Sequence, residues 1–192
     1  MSDIYKIRRF QAGDAEEVSA LISKTLRTVN IKDYSEKYIE ANVSSHSADV
    51  LIERAKHGHM YVVYDNLRIV GCGAIDGYWG STTESILLTI FVLPEYQGKE
   101  IGKLIIRTLE QDEFFLRAKR IEIPASITAV GFYKKMGYDY KNGIAEIDNE
   151  QVYRLEKFRY WTVTNQVLFF MRGSWLNGLT VSYGGRRYDT RK

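Results

Sequence analysis

The segment from Ile86 to Lys103 constrains the fold of this 192-residue chain more than any other. It opens with an apolar run, Ile86 to Leu93, that reads as one buried strand. Pro94 has no N–H to give to a ladder and ends that strand. Gln97-Gly98-Lys99-Glu100-Ile101-Gly102 follows, and Ile101, Leu104, Ile105 and Leu109 then recur at helical spacing. The chain must therefore pass from a buried strand through a glycine turn into an amphipathic helix. A helix N-terminus presents free backbone N–H groups, and glycine lets an anion approach them. The segment suits a phosphate-bearing ligand. It is not a dinucleotide fingerprint, because Gly98 and Gly102 are four apart and no acidic residue follows at the required place. Nor is it a nucleotide-hydrolysing loop, because Gly102-Lys103 is followed by Leu104 rather than Ser or Thr. Taken alone, it also fits a plain turn between two packed elements.

The rest of the chain supplies the frame. Ile4 to Arg9 alternates as a short strand does, and Asp14 precedes a helical pattern through Val18, Leu21, Ile22 and Leu26. Further helical patterns run from Ser35 to about Asn42 and from Ser47 to Lys56. Met60–Tyr64 and Arg68–Tyr78 read as strands joined at the turn pair Asp65-Asn66, and Glu84–Leu93 as the next strand. The spacing then predicts a helix over Gly102–Leu116, a strand over Arg120–Ile123, and a helix over Thr128–Met136. That last helix is expected to end on Gly137 as a left-handed cap, with Ser126 as its N-cap. Tyr138–Lys141 and Gln151–Lys157 read as a final strand pair around Asn142-Gly143. Helices between the first two strands, a meander, then strand–helix–strand–helix–strand is an α+β layout.

Composition limits the function classes. Cys72 is the single cysteine, so no intramolecular disulfide can form, and its apolar setting reads as a buried thiol in a cytoplasmic protein. No stretch is apolar enough to span a membrane, and the N-terminus carries no signal-peptide core. His46, His57 and His59 form no metal pattern and are expected at the surface or in loops; no metal is called for. The net charge of +3 is unevenly spread. Residues 159–192 hold six basic side chains and one acid, whereas residues 1–158 hold 21 basic and 23 acidic ones. The body is therefore not expected to bind nucleic acid. The basic, aromatic tail reads either as an added strand from Tyr160 to Phe170 that covers a sheet edge or makes a homodimer contact, or as a disordered extension. Binding of the tail to RNA or to an acidic partner is a third reading.

Two segments together resemble the GNAT superfamily of acyl-CoA-dependent N-acyltransferases. The first is Val92-Leu93-Pro94 followed by Gln97, Glu100 and Gly102. These fall on the family's strand end and its pattern of Gln or Arg, two residues, Gly, one residue, Gly or Ala. Glu100 stands where the family has its first glycine. The second is Ser126-Ile127-Thr128-Ala129-Val130-Gly131-Phe132-Tyr133-Lys134-Lys135-Met136-Gly137-Tyr138. It resembles the family's N-x-x-A-x-x-F-Y-x-x-x-G-F element, with Ser126 for Asn. The resemblance spans roughly residues 1–158. It implies a mixed, mostly antiparallel sheet that splays after its fourth strand, flanked by helices, with the tail as an extra segment.

The resemblance also implies a chemistry. Acetyl-CoA would be the co-substrate and a primary amine of a small molecule or peptide the acceptor, attacking directly in a ternary complex. Phe91, Val92, Leu93, Gln97, Gly98, Lys99, Glu100, Ile101, Gly102, Lys103 and Ser126 are the implied acetyl-CoA contacts, and a backbone N–H near Val92 the oxyanion donor. An outward-pointing Glu100 in the first helical turn would be compatible with phosphate held by backbone N–H groups, and Lys99 and Lys103 would offset its charge. Tyr133 falls on the family's catalytic tyrosine and would protonate the departing thiolate; on its pattern alone it reads rather as an aromatic core residue paired with Phe132. Glu84 is the candidate general base, with Glu122 behind it, and a strand residue in solvent is the plainer reading of each. Tyr78 and Trp79 would line the acceptor pocket or stand as surface aromatics. An acyl-CoA-binding sensor domain without turnover is the alternative function.

Overall fold

The computed structural model describes residues 5–159. The expected tail strand and the rest of residues 160–192 lie outside the described residues. One seven-stranded sheet runs through the domain: β1 (Tyr5–Arg9), β2 (His59–Asp65), β3 (Arg68–Gly77), β4 (Glu84–Val92), β5 (Arg120–Ala125), β6 (Asp139–Tyr140) and β7 (Tyr153–Phe158). Their spatial order is β1-β2-β3-β4-β5-β7-β6. Every neighbouring pair is antiparallel except β4 with β5.

The one parallel pair decides the architecture. β4 and β5 are in register only over Glu84↔Arg120, Ser85↔Ile121 and Ile86↔Glu122. Beyond Ile86 the strands part, as the expected splay requires. β4 still pairs with β3 on its other side as far as Val92, so only its β5 side lacks a strand partner there. At the same level β4 bulges. Cys72 faces Phe91 but Ala74 faces Leu88, which leaves Gly73 opposite two residues. Thr89 takes a left-handed backbone, φ 53°, which is rare for a β-branched residue and costs about 1–3 kcal/mol.

Helices α1 (Ala15–Thr28), α2 (Glu36–Ser44) and α3 (Ala48–Arg54) separate β1 from β2. The Val18, Ile22 and Leu26 stripe of α1 is buried and the helix packs against β3 and β4. Helix α4 (Ile101–Leu109) buries Ile101, Ile105, Ile106 and Leu109 against the same two strands. The helix expected over Gly102–Leu116 is two helices, α4 and α5 (Glu113–Arg117). Asp112 breaks it. Its backbone is extended and its carboxylate accepts the Phe114 N–H at 2.9 Å, capping α5. The same buried carboxylate accepts from Tyr61 at 2.7 Å and pairs with His59 Nδ1 at 2.8 Å. The last helix, α6 (Val130–Lys135), is preceded by a single 3₁₀ turn. Gly137 follows it at φ 85°, as expected of a left-handed cap. Ser126 does not cap; its hydroxyl meets Thr128 Oγ1 at 3.3 Å. Cys72 is fully buried, and burial pushes its thiol up to about 12, so it stays a protonated, inert core residue.

Candidate active site

The splay opens two adjoining cavities. The first, about 600 Å³, is bordered by Leu87–Phe91 of β4, Ile123 and Pro124 of β5, and Tyr34, Tyr38, Asn42, His46 and Arg54 from the region between β1 and β2. Five consecutive β4 residues reach it because the strand's edge, not one of its faces, borders it. The second, about 520 Å³, is bordered by Phe91 and Val92, by Gln97, Gly98, Glu100, Gly102 and Lys103, and by Phe132 and Lys135. Asn30, Ile90, Phe91, Ser126, Ala129 and Tyr133 line both. Tyr133 therefore sits where the two cavities meet.

The second cavity ends at the glycine turn. Gly98 and Glu100 take left-handed backbones, φ 77° and 65°, and Glu100 is the N-cap of α4. This differs from the expectation of Glu100 in the first helical turn. The position calls for a positive φ, which glycine tolerates freely and glutamate adopts at a cost of about 1–2 kcal/mol. Its side chain does point outward, as expected: it is 69% exposed and pairs with Lys103 Nζ at 2.8 Å. Gly102 has a different reason to be glycine. A Cβ there would stand 3.0 Å from Cζ of Phe132, so the ring of α6 lies directly on the α4 backbone. Gln97 Nε2 donates to the Val92 carbonyl at 3.3 Å and ties the turn back to the strand.

Not every expected residue reaches the cavities. Phe91, Val92, Gln97, Gly98, Glu100, Gly102, Lys103, Ser126 and Tyr133 do. Leu93 and Ile101 instead bury their side chains in the core, and Lys99 lies over the Tyr96 ring at 4.6 Å. Glu84 lines neither cavity. It stands at the closed end of the β4/β5 pair, where Arg120 donates to both its oxygens at 3.2 and 2.8 Å. That bond holds its carboxyl below the usual range. Glu122, 1% exposed, accepts from Arg120 and Lys141 at 2.8 Å each. Burial pushes its carboxyl up, but those two bonds outweigh it and the net direction is down. Both acids are tied into an ion-pair network. Tyr78 and Trp79 also lie away from the cavities: Arg120 stacks on Tyr78 at 4.9 Å and Trp79 is exposed.

Four buried side chains with polar groups among the described residues face the first cavity; one, Tyr34, accepts the Ile127 N–H at 3.0 Å. Tyr133 is 6% exposed, and burial pushes its phenol well above the ordinary value. Its hydroxyl has no hydrogen-bond partner among the described residues. Asn30 is 8% exposed, and its side-chain amide is likewise unpartnered among them. His46 lies in the turn after α2, a loop position as expected, but at 9% exposed it is buried rather than at the surface. The missed signal is its spacing: His46 follows the buried Ile39 by seven residues, so the turn that closes α2 brings it to the side that α2 buries. Among the described residues no group of three or more His, Cys, Asp or Glu could hold a metal ion. None of their helices is long and apolar enough to cross a membrane.

Residues 56–140 match the family model described as an acetyltransferase (GNAT) domain. The fold has solved counterparts. The PaiA N-acetyltransferase of Thermoplasma acidophilum, solved with coenzyme A, superposes with a TM-score of 0.69 at 20% identity, over 83% of this chain and 100% of that one. A GCN5-related N-acetyltransferase from Rhodopseudomonas palustris gives 0.67 at 21%, over 80% and 95%. N-acetylglutamate synthase from Neisseria gonorrhoeae, solved with coenzyme A and L-arginine, gives 0.54 at 16%, over 81% of this chain but 33% of that one. No curated protein is a significant sequence match. The chain thus has the splayed α+β fold that its two motifs imply, with a central segment similar to a GNAT acetyltransferase domain.

Proposed function

We propose that this protein transfers an acetyl group from acetyl-CoA to a primary amine in a ternary complex. The observation that carries the reading is the junction of the two cavities at Tyr133 and Phe91, one cavity ending on the glycine turn and the other open to a second molecule. The residues present suit acetyl-CoA. Gly98, Gly102 and the N-terminus of α4 would take the pyrophosphate, Lys103 adds positive charge, and the unpaired β4 edge offers backbone groups to the pantetheine arm. The coenzyme A complexes of the Thermoplasma and Neisseria proteins, which share the fold, support coenzyme A as the ligand class. When bound, acetyl-CoA supplies an acyl group already activated as a thioester.

The protein's own tasks are to align the two reactants and to move protons. In this reading Tyr133, which lines both cavities, would serve the second task at the leaving sulfur. Its buried phenol stays protonated at neutral pH and has a free O–H to donate. Glu84 is held out of the cavities by Arg120, so the acceptor side needs another proton acceptor. Arg54, exposed at the rim of the first cavity, has no carboxylate partner among the described residues, whereas Glu150 on the same wall is held by Arg154 at 2.5 Å. That imbalance favours an amine that also carries an acid group.

The test is a thermal shift with acetyl-CoA, CoA and ATP, followed by CoA release with a panel of amines. A ligand that binds only the native state raises the melting temperature. The expected result is a shift with acetyl-CoA and CoA but not ATP, and CoA release with at least one amine. A shift without release from any amine would favour a sensor domain. Absence of any shift at millimolar acetyl-CoA would sink the proposal. The basic segment 159–192 is proposed as an addition to the transferase domain, and a truncated chain ending at Phe158 should keep acetyl-CoA binding.

A further inference from the structure

We infer that His46 is the proton acceptor for the amine, its Nε2 reaching into the acceptor cavity with the tautomer fixed by the chain. This rests on the acetyltransferase reading above. His46 Nδ1 lies 2.8 Å from the Asn42 carbonyl oxygen. A carbonyl oxygen can only accept, so Nδ1 carries a hydrogen and donates it there. Ser45 Oγ, 3.1 Å away, shares that hydrogen. The neutral ring therefore keeps its lone pair on Nε2. Nε2 has no partner among the described residues. Yet among the described residues no buried side-chain nitrogen or oxygen is left both solvent-inaccessible and unpaired, so Nε2 is accessible, on the cavity that His46 lines.

Its position within that cavity matches the task. The imidazole packs edge-on against Phe91, centroids 5.6 Å apart, and Phe91 borders both cavities. Asn30, buried and unpartnered, lines the same junction and can orient the nucleophile. The charged and titratable groups around the cavity are Arg54 from α3, Glu150 held by Arg154, Tyr34, Tyr38 and Tyr133. Burial, and behind it the charge of Arg54, lower the His46 pKa, so the ring is a neutral base at pH 7. The step balances. The amine nitrogen bonds to the thioester carbonyl carbon, one N–H proton passes to His46 Nε2, and the C–S bond breaks. The thiolate takes the Tyr133 proton, and both residues are restored from solvent.

The test uses His46→Asn and His46→Gln in the full chain, with whichever amine releases CoA in the unmodified protein. Asparagine can keep the donor to the Asn42 carbonyl while losing Nε2, which separates a base from a structural bond. His46→Asn is expected to melt normally and bind acetyl-CoA unchanged, with kcat/KM lower by about 10²-fold or more. For an amine still protonated at neutral pH, log kcat/KM should rise with a slope of two below the imidazole pKa, and of one throughout in the variant. His46→Gln, as the second variant, should also lose the steeper limb. Turnover within a few-fold of normal in a folded His46→Asn, or a steeper limb that persists in either variant, overturns the inference. An unmodified protein that binds acetyl-CoA but acetylates no amine instead defeats the reading on which the inference rests.

Discussion

The two ends of the β4/β5 pair are built from the same two strands and behave in opposite ways. At the paired end, Glu84, Glu122 and Glu156 converge on Arg120, and Lys141 and Arg154 close the network around Glu122. At the splayed end three buried, neutral side chains keep a polar group that has no partner among the described residues and stays accessible: Asn30, the Nε2 of His46 and the hydroxyl of Tyr133. Charge is therefore a poor guide to chemistry here. A carboxylate in a tight ion pair is held ionised and immobile, whereas a neutral group left open to a cavity can still form a bond to something else. The paired end holds the strands together up to the point where the other end must let them part.

That contrast can be broken in four ways. The largest effect is expected at the open end. Tyr133→Phe should lower kcat by about 10²-fold or more with acetyl-CoA affinity unchanged; equal turnover removes Tyr133 from the proton path. The next falls on stability at the closed end. Arg120→Met leaves Glu122 buried with fewer partners and should cost about 3 kcal/mol in urea unfolding. Because folding lowers the pKa of Glu84 and Glu122, their contribution is present above the unfolded carboxyl value of about 4.3. It is lost as pH falls through their folded values. The gap between the native protein and Arg120→Met should narrow in that acid range, and a constant gap would mean the network adds nothing.

Smaller changes sharpen the picture. Glu100→Gly relieves a left-handed glutamate and should stabilise the protein by about 1 kcal/mol, whereas Glu100→Ala should not. Equal effects from both would show that charge, not backbone, governs this position. Glu84→Gln is expected to matter least, with less than about 1 kcal/mol in stability and no more than about a twofold change in kcat/KM, since a kinetic role of the usual size would give 10²-fold or more. A drop of that larger size would return the base to the closed end.

Much of the fold was legible because it rests on local patterns. The apolar run before Pro94 and the helical spacing after Gly102 dictate strand, turn and helix whatever surrounds them. Gly137 ends its helix as its backbone freedom predicts. The break at Asp112 was not legible, because apolar spacing continues across it through Phe115, and the break comes from a buried carboxylate that caps a new helix and binds side chains of β2. The same distinction holds for the site. Motif positions pointed to the glycine turn and to Tyr133, which do border the cavities, since their placement follows from sequence order along one strand–turn–helix unit and one short helix.

The sequence by itself determined the elements, the glycine turn and the two segments that resemble an acyltransferase, because each depends on neighbours a few residues apart. Only the tertiary structure decided which polar groups are paired and which border a cavity. Glu84 meets Arg120 from 36 residues away and is neutralised there. His46, from the region between β1 and β2, meets Phe91 of β4 and keeps one nitrogen open. Pairing and desolvation are properties of groups brought together from distant parts of the chain, so no local pattern could have told the engaged carboxylate from the available imidazole.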